Sequence, residues 1–105
     1  MKDIEFNNGM EPVHPGEILK EEFLEPMDMT ANHLADILKV TPARVYEIIA
    51  CKRGITADTA LRLSFALDTS PIFWMNLQSS YDLKKSFTLI GEKLSKEIIQ
   101  IEREK

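Results

Sequence analysis

The run TANHLADILKVTPARVYEII, residues 30–49, constrains this chain more than any other stretch. Thr30 is placed as an N-cap, whose hydroxyl accepts a backbone N–H of the first turn, and Leu34, Ile37 and Leu38 then recur at helical spacing. Thr41 followed by Pro42 repeats the device, because proline in the first turn lacks only an N–H that had no helical partner anyway. This next helix runs to about Ala50, with Val45, Ile48 and Ile49 inward. Only Lys39 to Thr41 joins the two. So short a joint forces a sharp angle between the helices and leaves the latter one projecting from the surface. A crossing of that kind needs a small residue, and Ala35 is placed for it.

The same start chemistry recurs along the chain. His14-Pro15-Gly16-Glu17 opens an earlier helix, with Glu17 in the first turn where the helix dipole favours an anion. Its apolar stripe is Ile18, Leu19, Phe23 and Leu24, and Pro26 stops it. Thr56 caps a fourth helix carrying Leu61, Leu63, Phe65 and Leu67. Ser70-Pro71 opens a fifth, with Phe73, Trp74, Leu77 and Tyr81 as large apolar anchors. Residues 1–13 show no sustained periodicity and read as an arm. Beyond Asp82, Leu83, Phe87, Ile90, Leu94, Ile98 and Ile101 recur every three or four residues between Lys and Glu. That pattern predicts a C-terminal amphipathic helix over 84–105, packed on the domain or on a dimer mate, since soluble monomers rarely leave such a stripe in water. The expectation is an all-α fold: a five-helix domain over 14–83 followed by this tail helix.

A chain of 105 residues with 44% hydrophobic content suits one domain with a real core. Net charge is −4, but unevenly spread. Residues 1–36 hold two lysines against nine acids, whereas residues 37–67 hold five cations against two acids. Counterion release rewards cations that face phosphates rather than total charge, so the local excess is compatible with a small polyanion-docking face. A single cysteine forms no internal disulfide, residues 1–13 lack the basic and apolar regions of a signal peptide, and no apolar run spans a bilayer. A soluble, cytoplasmic protein is expected, with no membrane partner.

Chemistry-bearing clusters are absent from the pattern. His14, His33 and Cys51 are the soft metal ligands, and no two of them share a metal-site spacing. His14 reads as a cap or hydrogen-bond partner, His33 as a surface residue and Cys51 as a small helix-end residue with no base at recognisable spacing. No metal, cofactor or catalytic role is expected. Glu17, Glu21, Glu22 and Glu25 read either as a solvated face or as a docking surface for a basic partner.

What stays outward on the projecting helix is Pro42, Ala43, Tyr46 and Glu47, with Arg44 at its flank. In a helix-turn-helix these positions meet base edges in the major groove. Thr30, Asn32 and Thr41 sit at helix starts, where hydroxyls and backbone N–H groups suit phosphates. The segments HPGEIL, KRGIT, ALRL and SPIFWMNLQ, taken together over residues 14–83, resemble the HigA antitoxins, a branch of the Xre-like, lambda-repressor-like helix-turn-helix family. The resemblance implies a homodimer that binds double-stranded operator DNA, represses its own operon and neutralises a HigB-type, mRNA-cleaving toxin. Carried over by position, Thr41 to Glu47 form the recognition surface, and Lys52 and Arg53 are backbone clamps after it.

The chain departs from that pattern in three places. Lys39 stands where the family usually has the turn glycine, at a cost of about 1 kcal/mol in the left-handed region. Ala50-Cys51 replaces an Asn-Gly, removing an amide and a favoured C-cap. Pro42 and Ala43 stand where polar side chains are frequent, and neither side chain donates a hydrogen bond to a base. Two other readings fit the same residues: a stand-alone transcriptional regulator, and a protein-interaction module without specific DNA reading.

Overall fold

A computed structural model describes residues 11–103, so most of the arm expected over 1–13 lies outside the described residues. All regular structure among them is helical. The helices are α1 (Pro15–Ile18), which runs straight into a π-helical segment (Leu19–Leu24), then α2 (Ala31–Leu38), α3 (Pro42–Ile49), α4 (Ala57–Leu67) and α5 (Pro71–Glu97). The expected all-α, five-helix fold is the observed one.

Each start uses the chemistry read from the sequence. The His14 imidazole caps α1, its Nδ1 accepting the Gly16 N–H at 2.8 Å. Thr30, Thr41, Thr56 and Ser70 cap α2 to α5, each hydroxyl oxygen accepting the N–H three residues on. Proline occupies the first position of α1, α3 and α5.

The core is one cluster. Leu19 and Leu24 come from the first helical stretch, Leu34 and Ala35 from α2, Val45 and Ile48 from α3, Leu63 from α4 and Trp74 from α5. Trp74 is the largest fully buried side chain, and its indole N–H donates to Thr69 Oγ1 at 2.7 Å, so burial leaves no unpaired donor. Phe23 and Phe73 stack against it at 5.4 and 5.0 Å between ring centroids. Gly16 is needed because α1 meets α3 there: a Cβ would land on the Ile48 carbonyl.

Three expectations are corrected. Ile37 points to solvent rather than inward, and Leu61 and Phe65 of α4 are exposed as well, Phe65 being 88% exposed. They sit on the outer side of α2 and α4, and Ile37 and Phe65 line a shallow apolar hollow of about 350 Å³. Ile49 is half-buried and packs against the core cluster, as expected. The fifth helix and the tail helix are one continuous helix, because nothing between Tyr81 and Leu83 breaks a helix and Gln78 Nε2 donates to Asp82 Oδ1 one turn on, at 3.0 Å. That helix ends at Glu97, where Ile98, Ile99 and Ile101 bring β-branched side chains that lose rotamer freedom in a helix. Within one chain the stripe does not pack back on the domain, for Leu83, Ile90, Leu94, Ile98 and Ile101 are all exposed.

Candidate nucleic-acid interface

The joint between α2 and α3 is built as its length demands. Lys39 takes the left-handed conformation (φ 61°, ψ 44°), and its N–H and that of Val40 return to the Ala35 carbonyl. Ala35 is fully buried at the crossing. On α3, Val45 and Ile48 are buried, while Thr41, Pro42, Ala43 and Tyr46 are exposed. Of the outward set expected from the sequence, Pro42, Ala43 and Tyr46 are exposed, whereas Glu47 and the flanking Arg44 are half-buried.

The polar positions divide by what they already bind. Thr30 Oγ1 accepts the His33 N–H at 3.1 Å and Thr41 Oγ1 the Arg44 N–H at 3.3 Å. Both hydroxyl hydrogens remain available to an acceptor such as a phosphate oxygen. Asn32 is exposed in the first turn of α2, beside the unpaired N–H groups of that terminus. Lys52 is exposed and makes no ion pair among the described residues.

The two arginines of the expected surface are held by acids. Arg44 Nη1 donates to Asp58 Oδ2 at 2.9 Å, and Asp58 Oδ2 also accepts Arg62 Nε at 2.9 Å. Arg62 Nη1 in turn donates to the Leu38 carbonyl at 2.8 Å, satisfying a carbonyl that the end of α2 leaves without a helical partner. The Asp58 carboxylate thus ties α3 to α4, and the Arg62 guanidinium that it holds ties α4 to the end of α2. The Arg62 and Arg44 guanidinium groups, in that order, hold the Asp58 carboxyl below the usual carboxylate range. Arg53 donates through Nε to Glu47 Oε1 at 2.8 Å, with Nη2 2.7 Å from the same oxygen.

Gln78 fixes the segment that carries Lys52 and Arg53. Its Oε1 accepts the Ile55 N–H at 2.6 Å, and Gly54 lies against its side chain so closely that a Cβ there would sit 2.9 Å from that oxygen. An open cleft of about 590 Å³ results, with Arg44, Arg53, Asp58, Arg62, Gln78 and Asp82 among its lining residues. Sequence reasoning missed Asp58, Arg62 and Gln78. The Asp58–Arg62 spacing of one helical turn was a readable pairing signal, but nothing local linked it to Arg44.

The other chemical candidates stay structural. His14 is buried and meets the Tyr81 ring edge-on at 4.8 Å between centroids. Desolvation lowers its pKa against the opposing pull of Asp82 and Glu17, in keeping with a neutral ring whose Nδ1 accepts a hydrogen bond. Desolvation, and then the Glu17 carboxylate, push the Cys51 thiol up, away from thiolate chemistry. Among the described residues no group of three His, Cys, Asp or Glu could hold a metal, and no helix is long and apolar enough to cross a membrane.

A left-handed three-residue joint, a buried alanine at the crossing and a second helix exposed from its N-terminus define a helix-turn-helix domain. No protein-family model matches the chain. Individual proteins do. Virulence-associated protein I of Dichelobacter nodosus is 52% identical over 77 residues, covering 73% of this chain and 71% of that one. Antitoxin HigA-1 of Vibrio cholerae is 44% identical over 73 residues, covering 69% of this chain and 68% of that protein. The antitoxin HigA of Pseudomonas aeruginosa, solved with the higBA promoter, superposes with a TM-score of 0.85 at 44% identity, over 88% of this chain and all of that one. The chain belongs to the HigA family of helix-turn-helix antitoxins. Matches to the first curated relatives span 64–71% of their length.

Proposed function

We propose that this protein is a dimeric, DNA-binding antitoxin that represses its own transcription unit and neutralises a HigB-type, mRNA-cleaving toxin in the cytoplasm. The observation that carries the reading is the exposed N-terminal half of α3, held by a buried helix crossing, in a chain that superposes on an antitoxin solved with promoter DNA. Thr41 to Glu47 are assigned to the major groove; Thr30, Asn32, Lys52 and Arg53 are assigned to its flanks. The protein acts by binding and is not an enzyme. Residues 1–13 serve as an arm, 14–83 as the DNA-binding domain and 84–105 as the tail that contributes to pairing.

Few phosphate contacts are expected from so small a set of free cations, so affinity comes from two copies on an inverted repeat. Half-sites about one helical turn apart suit two such helices. The test is titration of the duplex upstream of its own gene, against a scrambled duplex, at several salt concentrations. Preference for the upstream duplex is expected, and Lys52→Ala should shallow the salt slope by about one unit while weakening all sequences alike. Equal binding to both duplexes would overturn the repressor reading. Co-purification with the product of the adjacent gene tests the toxin half; its failure would favour a stand-alone regulator.

A further inference from the structure

Glu47 is the sole carboxylate on α3, and it stands one turn beyond Ala43 on the side assigned to DNA. A bare carboxylate there repels phosphate, so its presence needs a reason. The Arg53 fork supplies half of one. Both of its contacts, 2.8 and 2.7 Å, fall on Oε1, which neutralises the charge and fixes the plane of the carboxylate. Both side chains remain about half exposed, 46% for Glu47 and 47% for Arg53. Glu47 Oε2 makes no hydrogen bond among the described residues.

Oε2 is therefore an oriented acceptor with no donor. An ionised carboxylate accepts only, and the major groove offers two donors, the amino groups of cytosine and adenine. Adenine carries its N7 acceptor beside the amino group, which would oppose the carboxylate. Cytosine does not, and its partner guanine presents O6 and N7 as acceptors, the pair that an arginine fork reads best. Arg53 keeps N–H donors beyond those spent on Oε1.

We propose that Glu47 and Arg53 form one reading unit for a C·G base pair, Glu47 Oε2 accepting from cytosine N4 while Arg53 donates to the partner guanine. This rests on the DNA-binding reading above, adds the base pair to it and moves Arg53 from the flank to a base edge. It also gives the pair a role away from the operator. There Oε2 meets acceptor edges or phosphates, which repel it, so non-specific binding is kept weak.

Selection from a library of randomised duplexes, with the full chain as wild type, Glu47→Gln, Glu47→Ala and Arg53→Ala, decides it. Wild type should fix C·G at one position of each half-site, preferred on the order of tenfold over other pairs in competition binding. Glu47→Gln should move that one position to A·T, since an amide side chain matches adenine N6 and N7, and leave the other positions unchanged. Glu47→Ala should lose preference there alone, and Arg53→Ala should weaken both the preference and the affinity for the selected site. Melting curves matching wild type will show that the Glu47 variants are folded. The same base pair selected at every position by wild type and Glu47→Gln would reduce Glu47 to an anchor for Arg53 and overturn the inference, leaving DNA binding intact. Enrichment of no sequence by wild type would overturn both.

Discussion

Among the described residues, four with side chains occupy the left-handed region: Asp28, Lys39, Cys51 and Asp68, with φ between 52° and 64°. Each follows a helical segment, where glycine is the usual choice. Lys39→Gly should therefore stabilise the domain by up to about 1 kcal/mol, seen as a rise of several degrees in Tm. A fall in Tm would show that the lysine side chain compensates for its backbone. His14 carries the other prediction at this scale. Its ring is held neutral in the fold, below the ordinary value of 6.5 at which the unfolded chain takes up a proton. The unfolded state thus binds more protons just below that pH, so stability is full above it and declines as pH falls toward the folded pKa. His14→Asn, which keeps a cap acceptor for Gly16, should flatten urea midpoints across that window, while His14→Ala should cost about 1 kcal/mol above it and less as pH falls through it. Both residues were legible in the sequence, because a cap and a tight joint are local chemistry. Gln78 was not: its partner Ile55 lies 23 residues away, and only the packing of α5 on the turn after α3 brings them together.

At the scale of elements, the fold is positioned by close approaches rather than by helix number. Five helix starts were readable to the residue from His, Thr, Ser and Pro, whereas the separate start expected at 84 lies inside α5. Which face each helix buries was less so, as Ile37 and Phe65 show, since periodicity gives a stripe but not the neighbour that covers it. The π-helical turn through Leu19–Leu24 has no sequence signal at all; its mark is structural, the Glu25 N–H reaching the Lys20 carbonyl five residues back at 2.9 Å. Gly16→Ala should push α1 away from α3 and destabilise by about 1–3 kcal/mol, measured by denaturant midpoint. No change would mean that the Ile48 carbonyl moves freely, contrary to a packed crossing. Asp58 joins α3 to α4 electrostatically, and its carboxyl stays ionised to lower pH than in the unfolded chain. Its contribution is present above the unfolded pKa of about 4 and is lost as pH falls through the lower folded value. Asp58→Asn should accordingly lower Tm at neutral pH, with the difference from wild type closing in acid; a constant difference would assign the effect to packing.

Across the whole molecule, α5 sets the shape. Its 27 residues make a rod of roughly 40 Å, and the chain measures 53 × 29 × 21 Å. The core occupies one end. Trp74 is the last of its large buried side chains, and beyond Tyr81 the rod carries Leu83, Ile90 and Leu94 in the open. The sequence showed that stripe but not its destination, because spacing alone does not distinguish packing within a chain from packing between chains. The stripe is uncovered in one chain, and the proposed pairing expects a second copy to cover it and to supply the second recognition helix. Cutting the chain after Asp82 separates the two effects. The monomer core should persist, with helical circular dichroism retained for α1 to α4 and Trp74 fluorescence still that of a buried indole. Sedimentation at micromolar concentration should shift from dimer to monomer. Concentration dependence of Tm should vanish with it, since the stabilisation that depends on pairing is then gone. Operator affinity should fall by about a hundredfold or more, because linked binding of two half-sites is lost, while binding to a single half-site is unchanged. A dimer that survives the cut would place the pairing surface on residues 71–81 instead, with Ile72 and Phe73 as its exposed apolar contacts.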